Sequence, residues 1–168
     1  MHQHQREWFE LSAHERAAWL GFLRTHAQVV RELDAELEDE HGLLLSSYDV
    51  LVQLSLAPGG RRRMADLADA VLLSRAGMTR LVERLERDGL VEREPGERDT
   101  RQVFAHVTQR GLDLLGRCTS THLAGVRARF LDRLSDRQKE ELAAAWRAIL
   151  DPGDRAEGEP AELHGGSG

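Results

Sequence analysis

The sequence predicts a mainly α fold carrying one small β-hairpin, and three observations support that prediction. Apolar residues recur at steps of three and four over long stretches before position 42 and after position 108, the spacing of one helix face. Between those stretches lie shorter helical segments separated by only a few residues. They are followed by two strand-like runs flanking Pro95-Gly96. In the second run Val103, Ala105 and Val107 alternate with Phe104 and His106, as in a half-buried strand.

The first helix is expected over about 12–41, with Leu20, Leu23, Ala27, Val30, Leu33 and Leu37 in one stripe and Arg24, Gln28, Arg31, Asp34 and Glu38 opposite. Ser12 and Glu15 fit a capping box, in which each side chain bonds the other's free amide. Gly42 supplies a left-handed stop. So long a helix needs a partner along its length. A second helix, about 46–57, stops at Pro58-Gly59-Gly60. The third covers about 64–71, with Leu67, Ala68 and Val71 inward. The fourth starts near Ser74, turns Met78, Leu81, Val82 and Leu85 to the core, and ends at Gly89. Strand candidates follow at 90–94 and 102–107. Thr108 opens a long helix with Leu112, Leu115, Leu123, Val126 and Phe130 on its apolar side. Ser135-x-x-Gln138, a second capping box, starts the last helix, which reaches about Leu150 with Leu142, Trp146 and Ile149 inward. From 151 to 168 Gly, Glu, Pro and Ser prevail, and with little to bury this tail is expected to be disordered.

Charge is distributed unevenly. The 168 residues carry a net −6, yet positions 61–110 hold eleven arginines against nine acidic residues, a net of +2. A sided field of this kind argues against passive coating of nucleic acid and suits phosphate contact by one module. No apolar run approaches the roughly 18 residues of a membrane span, and the first residues lack the apolar core of a secretion signal. The single cysteine, Cys118, suits a reducing compartment; the expected location is the cytoplasm, with no membrane contact. No Gly-rich phosphate loop, metal-ligand set or nucleophile elbow is visible, so neither enzyme chemistry nor a cofactor or metal is expected. Cys118 reads as a buried, inert thiol.

Helix, turn, helix and hairpin in this order form a winged helix-turn-helix, whose second helix enters the major groove with its N-terminal half. The positions presented there are Ser74, Arg75, Gly77, Thr79 and Arg80. Arg75 and Arg80 have the forked donors that match guanine O6 and N7, and Thr79 can bond a base edge or meet a thymine methyl. Ser74 reads as an N-cap whose neighbouring amides can hold a phosphate. Arg84, four residues beyond Arg80, falls on the same face. Arg62 and Arg63 precede the third helix as phosphate contacts. The hairpin tip carries Arg98, Asp99 and Arg101, and an arginine there suits a narrow minor groove.

The run Met64-Ala-Asp-Leu-Ala-Asp, then Ser74, then Met78-Thr-Arg-Leu-Val-Glu-Arg-Leu-Glu-Arg-Asp-Gly-Leu-Val-Glu-Arg resembles the multiple-antibiotic-resistance regulator (MarR) family. So do Arg98-Asp99-Thr100-Arg101 and Val107-Thr108-x-x-Gly111. The resemblance covers about residues 16–150. It implies a triangular homodimer, its first and last helices interlocked between subunits and a winged helix-turn-helix at each lower corner. It also implies that Asp99 braces the wing while Arg101 enters the minor groove, and that Arg80 and Arg84 touch DNA. Family members often bind small aromatic acids between the dimer helices and the reading head, where Trp19, Phe22, His26 and Tyr48 could line a pocket or simply be core. The expected organisation is an N-terminal dimerisation helix (1–42), a winged helix-turn-helix (43–108), C-terminal dimerisation helices (109–150) and the tail (151–168). The expected partners are double-stranded DNA, met in the major groove by 74–88 and in the minor groove by 95–101, a second copy of the chain, and a small aromatic effector. The expected function is a sequence-specific, ligand-responsive repressor acting on a pseudo-palindromic operator. Two rivals stand beside it: a winged-helix module for protein contacts, which the arginine excess disfavours, and a metal- or redox-gated regulator resting on His2, His4 and Cys118.

Overall fold

The computed structural model describes residues 10–96 and 102–150. The wing tip with Arg98, Asp99 and Arg101, the His2–His4 arm and the 151–168 tail lie outside the described residues. Helix α1 (Ala13–His41) starts at the expected capping box: the Glu15 N–H donates to Ser12 Oγ at 3.2 Å and the Ser12 N–H to Glu15 Oε2 at 2.7 Å. It ends at Gly42, whose φ of +65° is the left-handed region that glycine enters without steric cost. Of its 29 residues only Leu33 and Leu37 are buried. The first half of its apolar stripe stands open, with Trp19, Phe22, Leu23 and Val30 exposed.

Helix α2 (Leu45–Ser55) has no side-chain cap of its own. Its first amide instead donates to Asp34 Oδ1 of α1 at 2.7 Å, which fixes the corner between the two helices. It buries Ser47, Tyr48, Val50, Leu51 and Leu54. After a 3-10 turn at Pro58–Gly60 comes a strand that the sequence did not announce, β1 (Arg61–Arg63). Helices α3 (Met64–Ala70) and α4 (Arg75–Arg87) follow, then β2 (Val91–Pro95) and β3 (Val103–Val107). The antiparallel sheet has the order β1-β3-β2, with Arg62 opposite Ala105 and Arg93 opposite Ala105 from the other side. Leu37, Leu51, Leu54, Leu67, Met78, Val82, Leu85, Val91, Ala105 and Cys118 close one core. Cys118 is fully buried, and burial raises its thiol above its ordinary value, which disfavours the thiolate form.

Helix α5 (Gln109–Arg129) docks by its start. Thr108 donates from its hydroxyl to the Gly89 carbonyl at 2.7 Å and from its N–H to the Leu90 carbonyl at 3.1 Å. Its hydroxyl also accepts from the Gly111 N–H at 3.1 Å. A Cβ at Gly111 would overlap the Leu90 carbonyl oxygen, so glycine here permits close backbone approach. Farther along, Thr121 Oγ1 lies 2.8 Å from His41 Nε2 and donates to Glu40 Oε2 at 2.9 Å, tying α5 to the end of α1. The face of α5 turned to the core is Gly111, Leu115, Cys118 and Gly125, whereas Leu112 and Leu123 of the expected stripe are exposed.

The chain divides into two compact units after Arg127. In the second, α6 (Asp136–Leu150) opens on the other expected capping box: the Gln138 N–H donates to Ser135 Oγ at 3.3 Å and the Ser135 N–H to Gln138 Oε1 at 2.9 Å. No residue of α6 is buried, and Ile149 and Leu150 are exposed. Among the described residues no helix is long and apolar enough to cross a membrane.

Candidate nucleic-acid interface

Helix α4 is built to present its first turns. Ser74 Oγ accepts the Gly77 N–H at 3.1 Å, so one free amide is satisfied by the cap. A Cβ at Gly77 would stand 3.1 Å from that same oxygen, so a small residue keeps the cap intact. Arg75, Thr79 and Arg80 are exposed, while Met78, Leu81, Val82 and Leu85 fill the core beneath. Thr79 Oγ1 donates back to the Arg75 carbonyl at 3.0 Å. Arg75 and Arg80 form no ion pair among the described residues, which leaves two guanidinium groups available at the end of the helix that also carries the positive dipole. Arg84 is placed differently. It is half-buried, and its Nη2 donates to Ser47 Oγ of α2 at 2.9 Å.

The root of the wing is fastened to α4 by Arg93, which sequence reasoning did not single out. Its Nη2 lies 2.6 Å and its Nε 2.9 Å from Glu86 Oε2, its backbone N–H donates to Glu86 Oε1 at 3.3 Å, and its Nη1 is 3.6 Å from Glu83 Oε1. The Arg93 hydrogen bond holds the Glu86 carboxyl below its usual range, and the same bond raises Arg93. Two acids of α4 are thereby offset by a base of the wing.

The arginine triplet is part of the sheet. Arg61 pairs with Glu94 and lies over the Phe104 ring at 4.0 Å, and Arg62 bonds Gln53 of α2. Arg63 stands 5.8 Å from the Phe104 ring centroid and is the exposed member of the three. Alternation is what brings this about: Arg61 and Arg63 share a face with Phe104, and Arg62 takes the other. Phe104 was legible as a strand residue but not as the platform for two cations.

The four residues expected at a pocket fall in two places. Trp19, Phe22 and His26 form a chain of rings on α1, with centroids 6.0 and 6.1 Å apart, all exposed. Tyr48 is buried and packs on His122 of α5 at 4.5 Å. Burial lowers the His122 pKa, opposed by the charges of Asp49 and Glu36, and burial raises that of Asp49. A hollow of about 270 Å3 opens elsewhere, lined by His41, Gly42, Leu43, Asp88, Leu90, Arg110, Leu114 and Arg117.

A capped helix with free arginines, bolted to a three-stranded wing, defines the winged helix-turn-helix class. Residues 41–102 match the model of the MarR family. The fold is similar to AbsC, a MarR family transcriptional regulator from Streptomyces coelicolor, at 34% identity and a TM-score of 0.78, covering 84% of this chain and 95% of that one. It is also similar to Sco3205 from the same organism, a MarR family regulator whose structure is a complex with DNA, at 31% identity and a TM-score of 0.79 over 88% and 92%. The uncharacterized HTH-type transcriptional regulator YkoM of Bacillus subtilis is 29% identical over 103 residues, which span 61% of this chain and 65% of that relative. The chain belongs to the MarR family of transcriptional regulators.

Proposed function

We propose that this chain binds DNA in a sequence-specific manner as a homodimer on a two-fold related operator and acts as a ligand-responsive repressor in the cytoplasm. The observation that carries the reading is the start of α4, where Arg75, Thr79 and Arg80 stand exposed on a helix whose other face is locked into the core. Arg63 adds an exposed cation on the wing side. The DNA complex of Sco3205 supports DNA as the partner. Arg98, Asp99 and Arg101 enter the proposal from sequence alone, with Arg101 in the minor groove and Asp99 aiming it. Trp19, Phe22, Leu23 and Val30 support a second copy as the cover of α1, since an open apolar face of this kind marks an interaction site. A small aromatic acid is the proposed effector. It would act by binding one separation of the two reading heads better than another.

Selection of bound duplexes from random sequence tests the reading, followed by titration of variants at fixed salt. Arg75→Ala and Arg80→Ala should relax base preference, at about 1–3 kcal/mol for each lost bidentate base contact. Arg63→Ala should weaken all duplexes alike and flatten the salt dependence. Equal loss on selected and random DNA for all three variants would refute base reading by α4.

A further inference from the structure

Resting on that reading, we infer that Arg84 is a positioning residue: by donating to Ser47 it sets the rotation of the reading helix against α2, and it is not itself a DNA contact. Ser47 is the one polar side chain buried among the described residues, at 2% exposure. A buried hydroxyl needs a partner, and Arg84 Nη2 supplies it at 2.9 Å. The two residues are 37 apart in sequence, and the bond crosses from α2 to the flank of α4.

The anchor end is firm. Tyr48, next to Ser47, packs on His122 of α5, and the first amide of α2 is held by Asp34 of α1. On its other flank α4 is held by Arg93 through Glu86 and Glu83. Apolar packing alone is tolerant of small rotations, because it has no direction, whereas a hydrogen bond is lost within a fraction of an ångström. Rotation about the α4 axis is the motion that would carry Arg75 and Arg80 away from base edges. A directional strut beside the core removes that freedom before DNA arrives, so less ordering is left for binding to oppose.

Ser47→Ala is the decisive variant, because it deletes the acceptor without changing any charge. Affinity for the duplex selected by the wild-type chain should fall of the order of tenfold, the range for loss of a hydrogen bond to a charged group. Affinity for a random duplex of equal length should stay unchanged, which reports at once that the protein is folded. Arg84→Ala should give the same loss, the double variant no more than either single one, and the salt dependence should keep its slope. The inference is overturned if Ser47→Ala leaves selected binding intact. It is equally overturned if Arg84→Ala weakens both duplexes and lowers the salt slope by about one unit, the signature of a phosphate contact. A wild-type chain that selects no duplex would remove the DNA-binding reading, and this inference with it.

Discussion

The reading body and the first half of α1 use the same apolar vocabulary to opposite ends. Around α2, α3 and α4, Leu51, Leu54, Leu67, Val82 and Leu85 are sealed, and the sheet and the start of α5 close the remainder. Along α1, Leu23 and Val30 share one stripe with Leu33 and Leu37, yet the first two are exposed and the last two buried. Helical periodicity states which face is apolar; it does not state what covers it. The body therefore carries its own stability, while α1 offers a surface whose benefit depends on what meets it.

The largest expected effect breaks this comparison if it fails. Leu51→Ala should destabilise the protein by about 2–5 kcal/mol, the range for emptying a closed core site, and the loss should be the same at every protein concentration. Leu23→Ala, at 42% exposure, should alter the folding of a lone chain little and instead shift the monomer–dimer balance. Thermal melts and light scattering over a concentration series separate the two. Melting of the Leu23→Ala variant that is independent of concentration, with scattering unchanged from wild type, would show that nothing covers α1.

Between these extremes stands the joint where α5 meets the body. Gly111→Ala should cost about 1–3 kcal/mol by overpacking, because the added methyl would meet the Leu90 carbonyl and the Val107 side chain. Chemical denaturation should show that loss together with weaker DNA binding, since the same turn leads from α4 into β2. A neutral outcome would mean that α5 is free to pivot about Thr108.

Much of this architecture was legible where a local side chain ends an element. Ser12 with Glu15, Ser74, and Ser135 with Gln138 each begin a helix through bonds that span three residues, and Gly42 and Gly89 stop the first two of these at positive φ. The fold class and the exposed arginines of α4 follow from those boundaries. What escaped depends on partners far along the chain. Strand β1 has three arginines and no apolar alternation; it exists because β3, more than forty residues on, offers an edge. Arg84 sits on the helical wheel near Arg80, and its bond to Ser47, 37 residues away in sequence, is what the wheel cannot show. The reason for Gly111 lies in the Leu90 carbonyl packed against it, 21 residues back along the chain.

The smallest expected effect concerns a place where the otherwise well-packed body is locally strained. Leu72, in the turn between α3 and α4, has φ of +57° and is 91% exposed. For a residue with a Cβ the left-handed region costs roughly 1–2 kcal/mol, and so exposed a side chain returns little burial in compensation. Leu72→Gly should relieve that strain. It also frees the unfolded chain, a loss of roughly 0.5–1 kcal/mol, so the net gain should lie between zero and about 1.5 kcal/mol. Leu72→Asn should gain slightly more, because asparagine tolerates the left-handed region without glycine's extra chain entropy. Leu72→Ala separates strain from exposure: it removes the apolar side chain and keeps the Cβ, so stability should stay where it is. Denaturation midpoints for the three variants, compared at constant m-value, read these differences directly. A loss of stability in all three would show that the leucine side chain is held by a surface, and the turn would then belong with α1 among the regions waiting for a partner.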